Sequence, residues 1–207
     1  MTRSARIVVL GLGAMAAAGC ASMGDDDEIA ARAAAVLNAS FKPAGQAGLD
    51  RLQQDQTQRT CSAVAGKALP QDVAAQIEQV NLATIRYPAD GKFLGDWTSG
   101  ERIAQEGRGK QFSDDPDVPA GANCYACHRL GKAELSFGTL GPSLYLYGKI
   151  RGDSLQVQRY TFGKIYNSEA FTPCSKMPRF GHKGILSEQQ IKDLTALLLD
   201  PASPVNQ

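Results

Sequence analysis

Apolar positions in this chain recur mainly at helical spacing, and the elements they predict are all helices. An acidic run from Asp25 to Glu28 suits a helix N-terminus, and the Ala-rich stretch 29–37 behind it has good helix propensity, so a first helix is expected there. Pro43, Gly45 and Gly48 mark a loop over 42–48. A second helix is expected over 49–64 and a third over 70–86, with Pro70 in its first turn and Val73, Ile77, Val80 and Thr84 along one face. Pro88, Ala89, Asp90 and Gly91 read as a boundary. Beyond it, Ser99 is a candidate N-cap for a helix through Glu101, Ile103 and Ala104 to Gly107, followed by an Asp- and Pro-containing loop over 113–121. Towards the end, Ser187 and Gln190 fit a capping box. Ile191, Leu194, Leu197 and Leu198 then make an apolar stripe that Asp200 and Pro201 close. The expected fold class is all-α.

The first twenty residues depart from this pattern. Arg3 and Arg6 precede an apolar stretch over 7–18 that is too short to span a membrane, and small residues follow it. That order is a secretory signal over 1–20, and export from a bacterial cytoplasm leads to the periplasm. Ala17, Ala18, Gly19 and Cys20 also resemble a lipobox, although a bulky aliphatic residue usually stands where Ala17 is. Two readings stay open for Cys20: a lipidated N-terminus, or a cysteine beside an ordinary cleavage point. A lipid would tether the chain without adding a transmembrane span. The net charge of +1 and the scattered Lys and Arg give no reason to expect nucleic acid as a partner. With only His128 and His182 in the chain, a histidine-based catalytic apparatus is hard to assemble, and no catalytic residue is expected.

Candidate chemistry is concentrated in Cys124, Tyr125, Ala126, Cys127 and His128, a C-x-x-C-H sequence. This is the attachment pattern of one covalently bound haem c. Residues three apart share a helical face, so both thiols can meet the vinyl groups of one porphyrin edge, and the next residue, His128, ligates the iron. A thioredoxin-like pair would be expected beside a βαβ pattern, which is missing, and zinc would need ligands from a chain with one other histidine.

The order of elements around the motif is that of a class I cytochrome c-like domain, placed at 89–203, behind a helical N-terminal extension at 25–88. Its first and last helices are expected to cross. Gly107 is either the small residue at that crossing or a glycine ending a helix. Met177 is the only methionine after Met23, and it lies shortly ahead of the last helix, where such domains place a thioether ligand opposite the histidine. The alternative is a methionine packed in the core. His182 is the rival ligand, although Gly181, Lys183 and Gly184 around it suggest a surface position. Pro142 follows Gly141 where cytochromes of this kind use a Pro carbonyl to accept the Nδ1 proton of the proximal histidine; an ordinary Gly-Pro turn is the other reading.

Cys61 and Cys174 remain once the motif and Cys20 are assigned. In an oxidising compartment an internal disulfide between them is expected, with a free thiol or an intermolecular bridge as alternatives.

Three separated stretches, 123–128, 138–144 and 171–181, resemble SoxX, the monohaem subunit of the SoxAX cytochrome of thiosulfate oxidation, and the resemblance covers about 97–201. It implies a heterodimer with a SoxA-type cytochrome subunit that joins thiosulfate to a cysteine of the SoxYZ carrier, an L-cysteine S-thiosulfotransferase activity. The reacting thiolate belongs to the SoxA partner; this chain takes up the released electrons and passes them to a downstream cytochrome c. The extension departs from the short form of that family. A free-standing periplasmic electron shuttle and a small-ligand-binding haem sensor are the alternatives. Tyr125, Leu144, Tyr145 and Tyr147 either contribute to a docking surface near the motif or pack around the porphyrin.

Overall fold

In the computed structural model, which describes residues 26–65 and 67–207, every regular element among the described residues is helical. The α-helices are α1 (Asp26–Ser40), α2 (Gln56–Ala63), α3 (Gln71–Leu82), α4 (Trp97–Gln105), α5 (Tyr147–Arg151), α6 (Leu155–Tyr166) and α7 (Glu188–Leu199). Short 3₁₀ turns lie at Leu49–Leu52, Cys124–Ala126, Ser168–Ala170 and Pro204–Asn206. The all-α expectation holds. The expected signal segment and Cys20 lie outside the described residues.

The described residues fall into two units, one ending at Ser40 and the other running over 41–207. In the first, the residues of α1 from Asp27 onward are exposed, including Ile29, Val36 and Leu37. In the second, residues 41–88 share one unit with the C-x-x-C-H sequence.

The centre of that second unit is α7. Ser187 and Gln190 form the expected capping box, and Ile191, Leu194, Leu197 and Leu198 are all buried. Each such side chain taken out of water contributes about 1.5–3 kcal/mol. Helices α4, α5 and α6 pack around it. Phe93 and Phe162 meet edge to face in the same core, with ring centroids 5.6 Å apart. At the C-terminus, Asn206 is fully buried: its Oδ1 accepts from the Gly148 N–H at the start of α5, and its Nδ2 donates to the Leu198 carbonyl at the end of α7.

Several local expectations are corrected. The helix expected over 49–64 is split, because Gln53 is extended and Asp55 caps a new helix: its side chain accepts from the Gln58 N–H and the Gln58 side chain accepts in return. The third helix stops at Leu82, where the Thr84 hydroxyl donates to the Asn81 carbonyl at 2.7 Å. Its buried residues are Ile77 and Asn81, while Val80 is 50% exposed. The cap of α4 is Asp96, whose carboxylate accepts from the N–H groups of Thr98 and Ser99; Ser99 lies inside the helix and donates its own hydroxyl to Asp96.

The crossing of α4 and α7 is made at Gly100. A Cβ there would run into the Asp193 carbonyl and stand 3.0 Å from the Leu197 Cβ. Gly107 follows the end of α4 and faces the Asn123 side chain, so of its two readings the helix-end one applies. Helices α5 and α6 were not anticipated. In α6, Ser154 supplies an N-cap, but Gly163 interrupts helix propensity in the sequence; it is there because Tyr87 and Phe171 press against its backbone.

Candidate functional site

The C-x-x-C-H sequence folds as a tight turn. Asn123 adopts a left-handed conformation (φ 47°, ψ 46°), which asparagine tolerates better than most residues, and leads into the 3₁₀ turn Cys124–Ala126. The N–H groups of Cys127 and His128 both donate to the Cys124 carbonyl, at 3.1 and 2.9 Å. This turn buries Tyr125 and packs Cys124 against the hydrophobic core. Burial pushes the Cys124 thiol up to about 12, so it is neutral. Cys124 and Cys127 are not bonded to one another.

A second segment is pinned along the turn by three backbone hydrogen bonds of 2.8 Å: Gly138 N–H to Tyr125, Gly141 N–H to Cys127, and Leu144 N–H to Arg129. Gly138 and Gly141 are required by this closeness, since a Cβ on Gly138 would overlap the Ala126 carbonyl and one on Gly141 would overlap the His128 ring. The Pro142 carbonyl lies 2.7 Å from His128 Nδ1. A carbonyl only accepts, so Nδ1 is the donor of this hydrogen bond.

Next to this histidine, the Arg129 guanidinium sits 5.4 Å from the ring centroids of both Phe137 and Tyr145. Its Nε is buried and has no hydrogen-bond partner among the described residues. Leu135 and Leu140, on the segment joining the motif to its clamp, are 97% and 87% exposed. Tyr125 is buried, Leu144 and Tyr147 pack against the protein core, and Tyr145 is half-buried.

Met177 is half-buried against the same core that receives Cys124. Its N–H donates to Ser175 Oγ at 3.1 Å, and its carbonyl accepts from the buried Ser168 hydroxyl at 2.6 Å. Cys174, in a left-handed conformation with φ 59°, donates its N–H to Glu169 Oε2 and is disulfide-bonded to Cys61. The internal pairing expected for these two cysteines is therefore present. His182 is half-buried rather than at the surface; burial, then the charges of Arg179 and Lys183, push its pKa down.

Residues that sequence reasoning overlooked tie this loop to the preceding helices. The Asp55 carboxylate receives Arg179 and Lys183, the latter at 2.9 Å. Burial pulls its carboxyl up, but the Gln58 N–H, Lys183 and Arg179 outweigh this and hold it well below the usual carboxylate range. The buried Asn167 side chain donates to Asn81 Oδ1 at 3.0 Å, and Asn81 donates in turn to Thr57 Oγ1 at 3.0 Å. The Asp55–Gln58 spacing was legible as a capping box; nothing local marks the Asn81–Asn167 contact.

These residues fit a covalently held haem. Two thiols lie on one turn, an imidazole is held through its Nδ1 by the Pro142 carbonyl, a thioether lies on a braced loop, and the buried Arg129 Nε has no partner among the described residues. Among the described residues no three His, Cys, Asp or Glu side chains are grouped to hold a metal ion.

No protein-family model matches the chain. A curated protein of Aquifex aeolicus (strain VF5), described as an uncharacterized lipoprotein, is 38% identical over 158 residues, covering 74% of this chain and 73% of the relative. The chain belongs to the same family as that lipoprotein. Among the described residues no helix is long and apolar enough to cross a membrane.

Proposed function

We propose that this chain is a monohaem c-type cytochrome of the SoxX kind, with a class I cytochrome c-like domain that carries electrons for a SoxAX-type L-cysteine S-thiosulfotransferase. The observation that carries the reading is the clamp on the C-x-x-C-H turn, with Gly141 against the imidazole and the Pro142 carbonyl on Nδ1. The crossing of α4 and α7 at Gly100 supports the domain assignment.

Cys124 and Cys127 would hold the haem as thioethers, and His128 and Met177 would supply the nitrogen and sulfur ligands to its iron. Bound haem supplies one-electron transfer, at a potential that a Met and His ligand pair raises. Pro142 fixes the tautomer and orientation of His128. Cys61 and Cys174 are joined in the disulfide and haem attachment would take up Cys124 and Cys127, which leaves the second unit no thiol to act as a nucleophile. Thiosulfate chemistry then belongs to a SoxA-type partner: a carrier thiol and thiosulfate give an S-thiosulfonate, one proton and two electrons, and this chain passes the electrons to a downstream cytochrome c. The relative's description as a lipoprotein supports lipidation at Cys20, and with it a periplasmic, membrane-tethered location.

The deciding experiment mixes the haem-loaded chain with a SoxA-type partner, a SoxYZ-type carrier and thiosulfate, omits each in turn, and follows carrier modification by mass spectrometry. Activity is expected only with all components. Full activity without this chain, given an adequate electron acceptor, would reduce it to a free-standing shuttle, and carbon monoxide binding to the reduced native protein would favour a sensor. Within the same assay, Met177→Ala is expected to keep haem attached but lose electron output, whereas Cys124→Ser compromises haem attachment.

A further inference from the structure

The segment bearing Met177 is held by a residue 124 positions away in sequence. Arg179, two residues beyond Met177, is 8% exposed, and a charge so buried is stable only when paired. Its partner is Asp55. The two oxygens of that carboxylate have separate duties: Oδ1 accepts from the Gln58 N–H and caps α2, while Oδ2 receives both Arg179 and Lys183. Arg179 and Lys183 bracket one turn of the loop, since the Lys183 N–H donates to the Arg179 carbonyl at 2.9 Å. One carboxylate on the segment preceding the haem motif therefore gathers both ends of a turn that begins just after Met177.

The disulfide joins the same helix to the other side of Met177, through Cys174. The loop is thus tied to α2 both before and after the thioether, covalently on one side and ionically on the other. An ion pair confined to the surface would add little. Here the buried guanidinium gives the pair a definite position as well as attraction.

We infer that Asp55 and Arg179 form a positioning pair that holds the Met177 loop in place for sulfur ligation, and that this is a role of the added N-terminal segment. The inference rests on Met177 being the sixth haem ligand. Asp55 and Arg179 act through the loop backbone and are positioning residues.

Asp55→Asn tests this cleanly, because asparagine keeps the N-cap acceptor while removing the charge. In the full-length haem-loaded protein, Asp55→Asn should make imidazole bind the ferric haem about tenfold more tightly, by making the methionine easier to displace. The sulfur-to-iron charge-transfer band should weaken, and amide exchange should rise over 175–186. Arg179→Gln should do the same, and the double variant should go no further than the single ones, since both remove one link. Lys183→Gln, at a more exposed position, should move imidazole affinity in the same direction by about threefold and serves if Asp55→Asn does not fold. A wild-type protein without the charge-transfer band, or a Met177→Ala variant that keeps it, would overturn the ligand assignment and the pair's role together. A band that Met177→Ala removes, with imidazole affinity and amide exchange unchanged in Asp55→Asn or Lys183→Gln, would overturn the positioning pair alone.

Discussion

The His128 Nδ1 proton is held by the Pro142 carbonyl at 2.7 Å, and the intervening distance is set by Gly141, which packs directly on the ring. Gly141→Ala is expected to break this contact, destabilise the domain by about 1–3 kcal/mol through overpacking, and move the Nδ1 proton resonance in NMR spectra. Pro142→Ala keeps the carbonyl and should change stability by less than about 1 kcal/mol. Equal effects of the two substitutions would show that the glycine has no special role.

The disulfide spans 113 residues of chain, and most of its effect should act on the unfolded state. Cys61→Ser should lower stability by up to about 4–5 kcal/mol on a chain-entropy basis, measured by denaturant unfolding of the exported protein. Mass spectrometry without reduction locates the crosslink; two free thiols in correctly exported protein would remove it from the account.

Acid should weaken the Asp55 link in a definite range. The carboxyl is depressed from its ordinary 3.8 in the folded chain, so its stabilising contribution is complete above about pH 4 and is lost as pH falls through the lower folded value. Thermal unfolding recorded from pH 5 downwards should show a shallower acid decline in Asp55→Asn than in wild type. Parallel curves would show that Asp55 titrates alike in the folded and unfolded chain.

At the helix crossing, Gly100→Ala opposes two effects. Alanine is the better helix former by about 1 kcal/mol, but its Cβ would overlap the Asp193 carbonyl across the interface. Overpacking should win, with a net loss of about 1–2 kcal/mol in urea unfolding. Gly107→Ala, which meets only the end of the Asn123 side chain, should be close to neutral.

By itself the sequence determined the features whose physics acts within a few residues. The Ser187–Gln190 capping box and the apolar stripe of α7 are hydrogen-bonding and periodicity signals that a short window contains, and both sit in the structure where they were expected. The Cys61–Cys174 pairing was also legible, because few cysteines were left to choose from. Tertiary structure decided the rest. Gly100 and Gly107 look alike in sequence, and only the approach of α7 makes the first a crossing residue. Val80, expected on the apolar face of its helix, is exposed, and Asn81 is buried because the buried face of α3 offers it hydrogen bonds to Thr57 and Asn167, partners that come from distant segments. The pairing of Asp55 with Arg179 has the same origin: a cap is written in its neighbours, but the charge that completes it arrives only when the chain has folded back on itself.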